Sequence, residues 1–152
     1  MSFSDIFSKE NKTRYSKYLV VLFFLSFLFI GLIIFRNFGL SIDEPFHRTS
    51  GYFWLYTLAK DILPSTNYHI YLKSLLDEME WSKDFLAGYY QSYGPIFDIF
   101  SAVIEQATGS ISDKESFELK HLLTFLIFFI SGIYFFKLIN ERFKNDIFTL
   151  FL

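Results

Sequence analysis

Residues 18–35 contain no charged side chain. At the helical rise of about 1.5 Å per residue, that stretch covers most of the roughly 30 Å hydrocarbon core of a bilayer. Read as a helix, it spans a membrane. A cleavable signal peptide is the rival reading, but its apolar region would be shorter, and Phe35-Arg36-Asn37-Phe38 offers no pair of small residues to a peptidase. Composition points the same way: 52% of the 152 residues are hydrophobic and 22% aromatic, with 22 phenylalanines, which is not the makeup of an ordinary soluble domain.

A second apolar stretch, residues 122–136, lies between Lys120-His121 and Lys137. Its uncharged core is short for a span. Lys120 and Lys137 can snorkel, and the capping box Ser112-Asp113-Lys114-Glu115 predicts that the helix starts upstream with a wet, amphipathic first part. The alternative is a buried core helix of a soluble protein.

Basic residues set the orientation. Lys9, Lys12, Arg14 and Lys17 precede the first span, and Lys137, Arg142 and Lys144 close the second. The segment between them carries more Asp and Glu than Lys and Arg. The positive-inside rule then places both ends in the cytoplasm and residues 36–120 outside or in the lumen; the expected location is the plasma (inner) membrane, with the active face extracytoplasmic. The chain has no Cys, which removes thiolate metal sites and thiol nucleophiles. A net charge of -2 without a basic stripe gives no sign of a nucleic-acid partner. After a turn at residues 140–146, Ile147-Phe148-Thr149-Leu150-Phe151-Leu152 reads as the opening of a third span, so a longer multi-span protein is expected. An amphipathic tail on the membrane would show Lys or Arg, and this run has neither.

The expected fold is all-helical and integral to the membrane. Residues 1–17 form a cytoplasmic N-terminus and 18–35 a first transmembrane helix. Residues 36–120 form an extracytoplasmic loop with interfacial helices, 121–139 a second span, 140–146 a cytoplasmic turn and 147–152 the start of a third span.

Within the loop, Pro45 favours an extended Glu44 and suits the first helical position, so Asp43-Glu44 stands at a helix N-terminus. That helix runs to about Lys60, and its Phe46, Phe53, Trp54, Leu55, Tyr56 and Leu58 suit the membrane interface. A short helix through Tyr71, Leu72, Leu75 and Leu76 ends at the acidic run Asp77, Glu78, Glu80. A further helix opens at Gly94-Pro95 and closes at Gly109, with Ile96, Ile99, Phe100, Val103 and Ala107 at helical spacing. Asp98 and Glu105 interrupt it too often for a span, so it reads as lying along the membrane surface, or else as packed on a soluble loop domain.

Asp43-Glu44 is the chemically loaded feature, because carboxylates just past a span are costly to hold ionised unless paired, solvated or useful. One reading is structural. Acidic residues at a helix N-terminus complement the macrodipole for about 0.3–1 kcal/mol, Glu44 and Arg48 form an i, i+4 pair, and His47 is an interfacial polar residue. The functional reading makes Asp43 a general base that takes the proton of an acceptor hydroxyl attacking a lipid-linked sugar. Glu44 is then its orienting or metal-binding neighbour, His47 a helper one turn on, and Arg48 the nearest cation for the leaving phosphate. A divalent metal on Asp43, Glu44 and His47 is left open, and no cofactor is otherwise called for.

The Asp-Glu pair after a first span, the amphipathic helices and the second span resemble the N-terminal part of the glycosyltransferase-C superfamily. Asp43-Glu44-Pro45-Phe46-His47, Tyr93-Gly94-Pro95-Ile96-Phe97-Asp98 and Lys120-His121-Leu122-Leu123 are similar to the branch of protein O-mannosyltransferases and lipid A aminoarabinose transferases. The resemblance covers nearly the whole chain, and its specific element is the Asp-Glu pair. It implies an inverting transferase with a polyprenyl-phosphate sugar as donor and an acceptor glycan, lipid or protein outside the cytoplasm. Asp43 and Glu44 would be the catalytic pair, with His47, Arg48 and Tyr93 on the substrate. A family member has ten or more spans, so this stretch alone would be inactive. The rival from another class is a small two-span scaffold or partner protein without catalysis. A transporter fragment would want spans broken by polar or Gly/Pro residues, for which Gly31 and Gly132 are thin support.

Overall fold

The computed structural model describes residues 9–39, 41–88, 95–109, 112–144 and 149–150. Tyr93, Gly94 and most of the expected third-span opening lie outside them. Among the described residues every regular element is helical: α1 (Lys9–Ile34), a 3-10 turn (Phe35–Asn37), α2 (Glu44–Ile62), α3 (Tyr68–Asp77), α4 (Ser82–Leu86), α5 (Ile96–Thr108) and α6 (Asp113–Phe143). The chain divides into two compact units. One comprises the residues up to Asn37 together with those from Leu122 onward, and the other is Phe38–His121.

In the first unit, α1 and the later part of α6 are long and apolar enough to cross a membrane. Their large side chains face outward: Leu22 is 60%, Phe29 66%, Phe128 65% and Tyr134 68% exposed. A core helix of a soluble protein would bury such residues, and none of the most apolar window of α6 is buried. A phenylalanine seam joins the two helices. Phe24 meets Phe136 edge-on at 5.6 Å between ring centroids, and Phe27 meets Phe125 edge-on at 5.7 Å, an edge-to-face geometry that aromatic quadrupoles favour. Gly31 makes room for this seam, since a Cβ there would overlap the Phe125 ring.

The second unit is built around α2, which packs against α5, α3 and α4. Its core is Tyr52, Phe53, Leu55, Ala59, Leu72, Leu76, Phe85 and Ala102, with Phe46, Trp54, Tyr56 and Trp81 against it. The aromatic residues of α2 therefore serve mainly as core, where the sequence suggested an interfacial surface. Phe85 from α4 draws them inward, 5.1 Å from Phe46 and 5.5 Å from Phe53.

Helix ends follow the local chemistry. Gly109 closes α5 in the left-handed conformation, φ +68°, and its N–H donates to the Glu105 carbonyl. The capping box forms in full, with Ser112 N–H donating to Glu115 Oε2 at 3.2 Å and Glu115 N–H donating to Ser112 Oγ at 3.3 Å.

Helix α5 is turned opposite to a helix in water. Asp98, Ser101, Ala102 and Glu105 are buried, whereas Ile96 (85%), Phe100 (45%) and Val103 (43%) are exposed. The charged face reaches α2 because the backbones come close at Gly51. A Cβ there would overlap the carbonyl oxygen of Asp98 and sit 2.8 Å from its carbonyl carbon. Gly51→Ala is therefore expected to destabilise this unit by about 1–3 kcal/mol in denaturant unfolding, while Gly39→Ala, with open space around it, has no comparable effect.

Candidate functional site

The start of α2 carries Glu44, His47 and Arg48, with Asp43 just before it, and each meets a different environment. Asp43 precedes α2 at its N-cap position with φ -87° and ψ -11° and makes no side-chain cap bond. A capping side chain needs extended backbone to reach the free N–H groups, and Asp43 has helical angles. Its carboxylate is exposed and not spent on the helix. Helix α2 begins at Glu44, which puts Pro45 one position further in than expected and still in the first turn, where its missing N–H costs no helical bond.

Glu44 pairs with His121 and not with Arg48. Its Oε1 lies 2.6 Å from His121 Nε2, and the two side chains are only 14% and 16% exposed. Phe38 sets its ring edge-on to the imidazole at 5.8 Å. Glu44 Oε2 and His121 Nδ1 are buried without a hydrogen-bond partner. His121 is therefore the residue that fixes the orientation of the Glu44 carboxylate.

One turn on, His47 Nδ1 lies 3.1 Å from Oδ2 of the buried Asp98, and Lys120 Nζ donates to Asp98 Oδ1 at 3.2 Å. Arg48 is committed more deeply. Its Nε and Nη2 donate to Glu105 Oε1 at 3.0 and 2.6 Å, and its Nη1 donates to Asp113 Oδ1 at 2.5 Å. Tyr52 donates its hydroxyl proton to Glu105 Oε1 at 3.1 Å and accepts from Gln106 Nε2 at 2.6 Å. Burial and the Glu105 charge push the Tyr52 phenol well above its usual range, so it stays a donor. Burial works against the Arg48 charge, but the bonds to Glu105 and Asp113 outweigh it and the guanidinium pKa rises.

The structure thus brings Asp43, Glu44, His47 and Arg48 to one helix end and gives the last three partners that the sequence did not suggest. Asp98 and Glu105 read as interruptions of an apolar helix, yet they are its inward face and the partners of His47 and Arg48. Their seven-residue spacing, two helical turns, was the available signal, since it puts both on one side. His121 sat at the edge of an apolar run, and nothing local marked it as a partner of Glu44. Tyr93 lies outside the described residues. Among the described residues no group of three His, Cys, Asp or Glu is arranged to hold a metal ion.

Arg48 and Glu105 are 19% and 6% exposed, so the fork between them is a largely desolvated pair. Removing one partner strands the other charge. Glu105→Ala is expected to cost about 3–5 kcal/mol of unfolding free energy, whereas Asp113→Ala, at a carboxylate 82% exposed, costs little by the same measurement.

Comparison with family models, curated proteins and solved structures returned no match to this chain.

Proposed function

We propose that this chain belongs to an integral membrane glycosyltransferase of the glycosyltransferase-C type, which moves a sugar from a polyprenyl-phosphate donor to an acceptor outside the cytoplasm with inversion. Helices α1 and α6 cross the plasma (inner) membrane, and Phe38–His121 faces the outer side. The observation that carries the reading is the division of labour at the start of α2: Asp43 keeps an exposed carboxylate with no capping bond, while its neighbour Glu44 is held by His121. A base needs a free lone pair and a fixed surrounding, and this pair supplies both.

In the reaction, Asp43 accepts the proton of the acceptor hydroxyl as that oxygen attacks the anomeric carbon. The bond from that carbon to the phosphate oxygen breaks, and the phosphate departs with the electron pair as a stable anion, so no general acid is required. The positive end of the α2 dipole favours negative charge at this point. Arg48 is engaged by Glu105 and Asp113, so it serves the site by holding α2 on α5, and the leaving phosphate draws its cation from elsewhere. Neither cofactor nor metal enters this account.

Asp43→Asn in the full-length protein is expected to reduce transfer from undecaprenyl-phosphate mannose or a related donor by at least about a hundredfold while membrane insertion is unchanged. Near-normal transfer would sink the assignment. It would favour the second reading, a membrane scaffold, which the engagement of Arg48 in a buried ion pair also suits.

The exposed stripe Ile96, Phe100, Val103 on α5 lies against the lipid interface in this reading. Because the chain has no Cys, single cysteines can report this directly. A spin label at Phe100→Cys in reconstituted protein is expected to collide more with oxygen than with a water-soluble nickel chelate, and a label at the exposed Thr108→Cys the reverse. Equal accessibility at the two positions would remove α5 from the membrane.

A further inference from the structure

A cleft of about 820 Å³ opens within the Phe38–His121 unit, walled by one face of α2, the end of α3, the end of α5 and the start of α6. That is the size of a small-molecule site. Its floor is already organised. Arg48, Tyr52, Glu105 and Gln106 line it and are hydrogen-bonded to one another, so a ligand need not order them on arrival. Tyr71 and Phe117 add flat apolar surface to the walls, and the exposed Glu78 and Glu80 add acceptors at the rim.

The charge balance is selective. Glu78, Glu80, Glu105 and Asp113 bring four carboxylates to the lining against the single guanidinium of Arg48, which two of them already engage. A phosphorylated or carboxylated ligand meets net repulsion there. A sugar ring offers what the lining lacks: hydroxyl donors around its edge for the carboxylates and Gln106, and C–H faces for the aromatic walls. Pro45 lines the cleft too, which puts the wall one residue from Glu44 and two from Asp43 along the chain.

We propose that this cleft binds a hydroxyl-rich sugar unit without negative charge, and that this unit is the acceptor of the transfer. The second half rests on the transferase reading; binding itself does not. A peptide acceptor is disfavoured because the organised polar floor matches a compact ring better than an extended chain.

The test is titration calorimetry on the full-length protein in detergent with three rings of similar size: methyl α-mannoside, glucosamine and glucose 6-phosphate. The first two are expected to saturate in the millimolar range, and the third not to bind. Tyr71→Ala and the double variant Glu78→Gln/Glu80→Gln, all at exposed positions, should each weaken binding about tenfold with an unchanged unfolding midpoint. Failure of both uncharged and cationic rings to saturate, equal binding of glucose 6-phosphate, or indifference to the Tyr71 and Glu78/Glu80 variants would overturn the proposal. If binding holds but Asp43→Asn still supports transfer, the sugar site stands and the catalytic reading is what fails.

Discussion

The Phe38–His121 unit depends on a charge that has been taken out of water. Glu105 is almost fully enclosed, and an isolated carboxylate there would cost far more than the unit could supply. Arg48 neutralises it through a forked contact, and Tyr52 satisfies a further lone-pair direction. Because Arg48 and Tyr52 are one turn apart on α2 and Glu105 is on α5, the network holds the two helices in one rotational setting. Gly51, on the same stretch of α2, allows the close approach that the short hydrogen bonds require. Asp98 repeats the device a few residues away with His47 and Lys120.

This arrangement gives adjacent residues unlike roles. Asp43 and Glu44 differ by one methylene, yet one carboxylate is open to solvent and the other is closed by His121. The difference arises from position on the helix. The residue before the first turn projects outward, whereas the first helical residue is carried round to the side where His121 stands. The pair is asymmetric from the start, with one carboxylate in solvent and one held in place by an imidazole.

Most of the helices were legible in the sequence, because they are written in local rules: the apolar stretches, the Ser112 capping box, Pro45 at the start of α2 and Gly109 at the end of α5; the five-residue α4, which carries Phe85, was not. Their packing was not, because it is settled by long-range partners. Helical periodicity located the apolar stripe of α5 correctly and gave no means of telling which side faces inward. Only the placement of Arg48 and His47 on α2 makes the charged side the buried one. The aromatic residues of α2 misled for a similar reason: rings suit an interface and a core alike, and Phe85 decides between them. At the site, residue type pointed to Asp43 and Glu44 but not to His121, whose partner lies far away in sequence.

The inward-facing acids of α5 reverse the usual dependence of a domain on its solvent. In water, its outward Ile96, Phe100 and Val103 are a liability; in an apolar medium they are at no disadvantage, while the ion pairs beneath them gain strength as the dielectric falls. A medium that would weaken an ordinary globular domain thus leaves the ion pairs of this one stronger, so its cohesion is set by the solvent as much as by the chain.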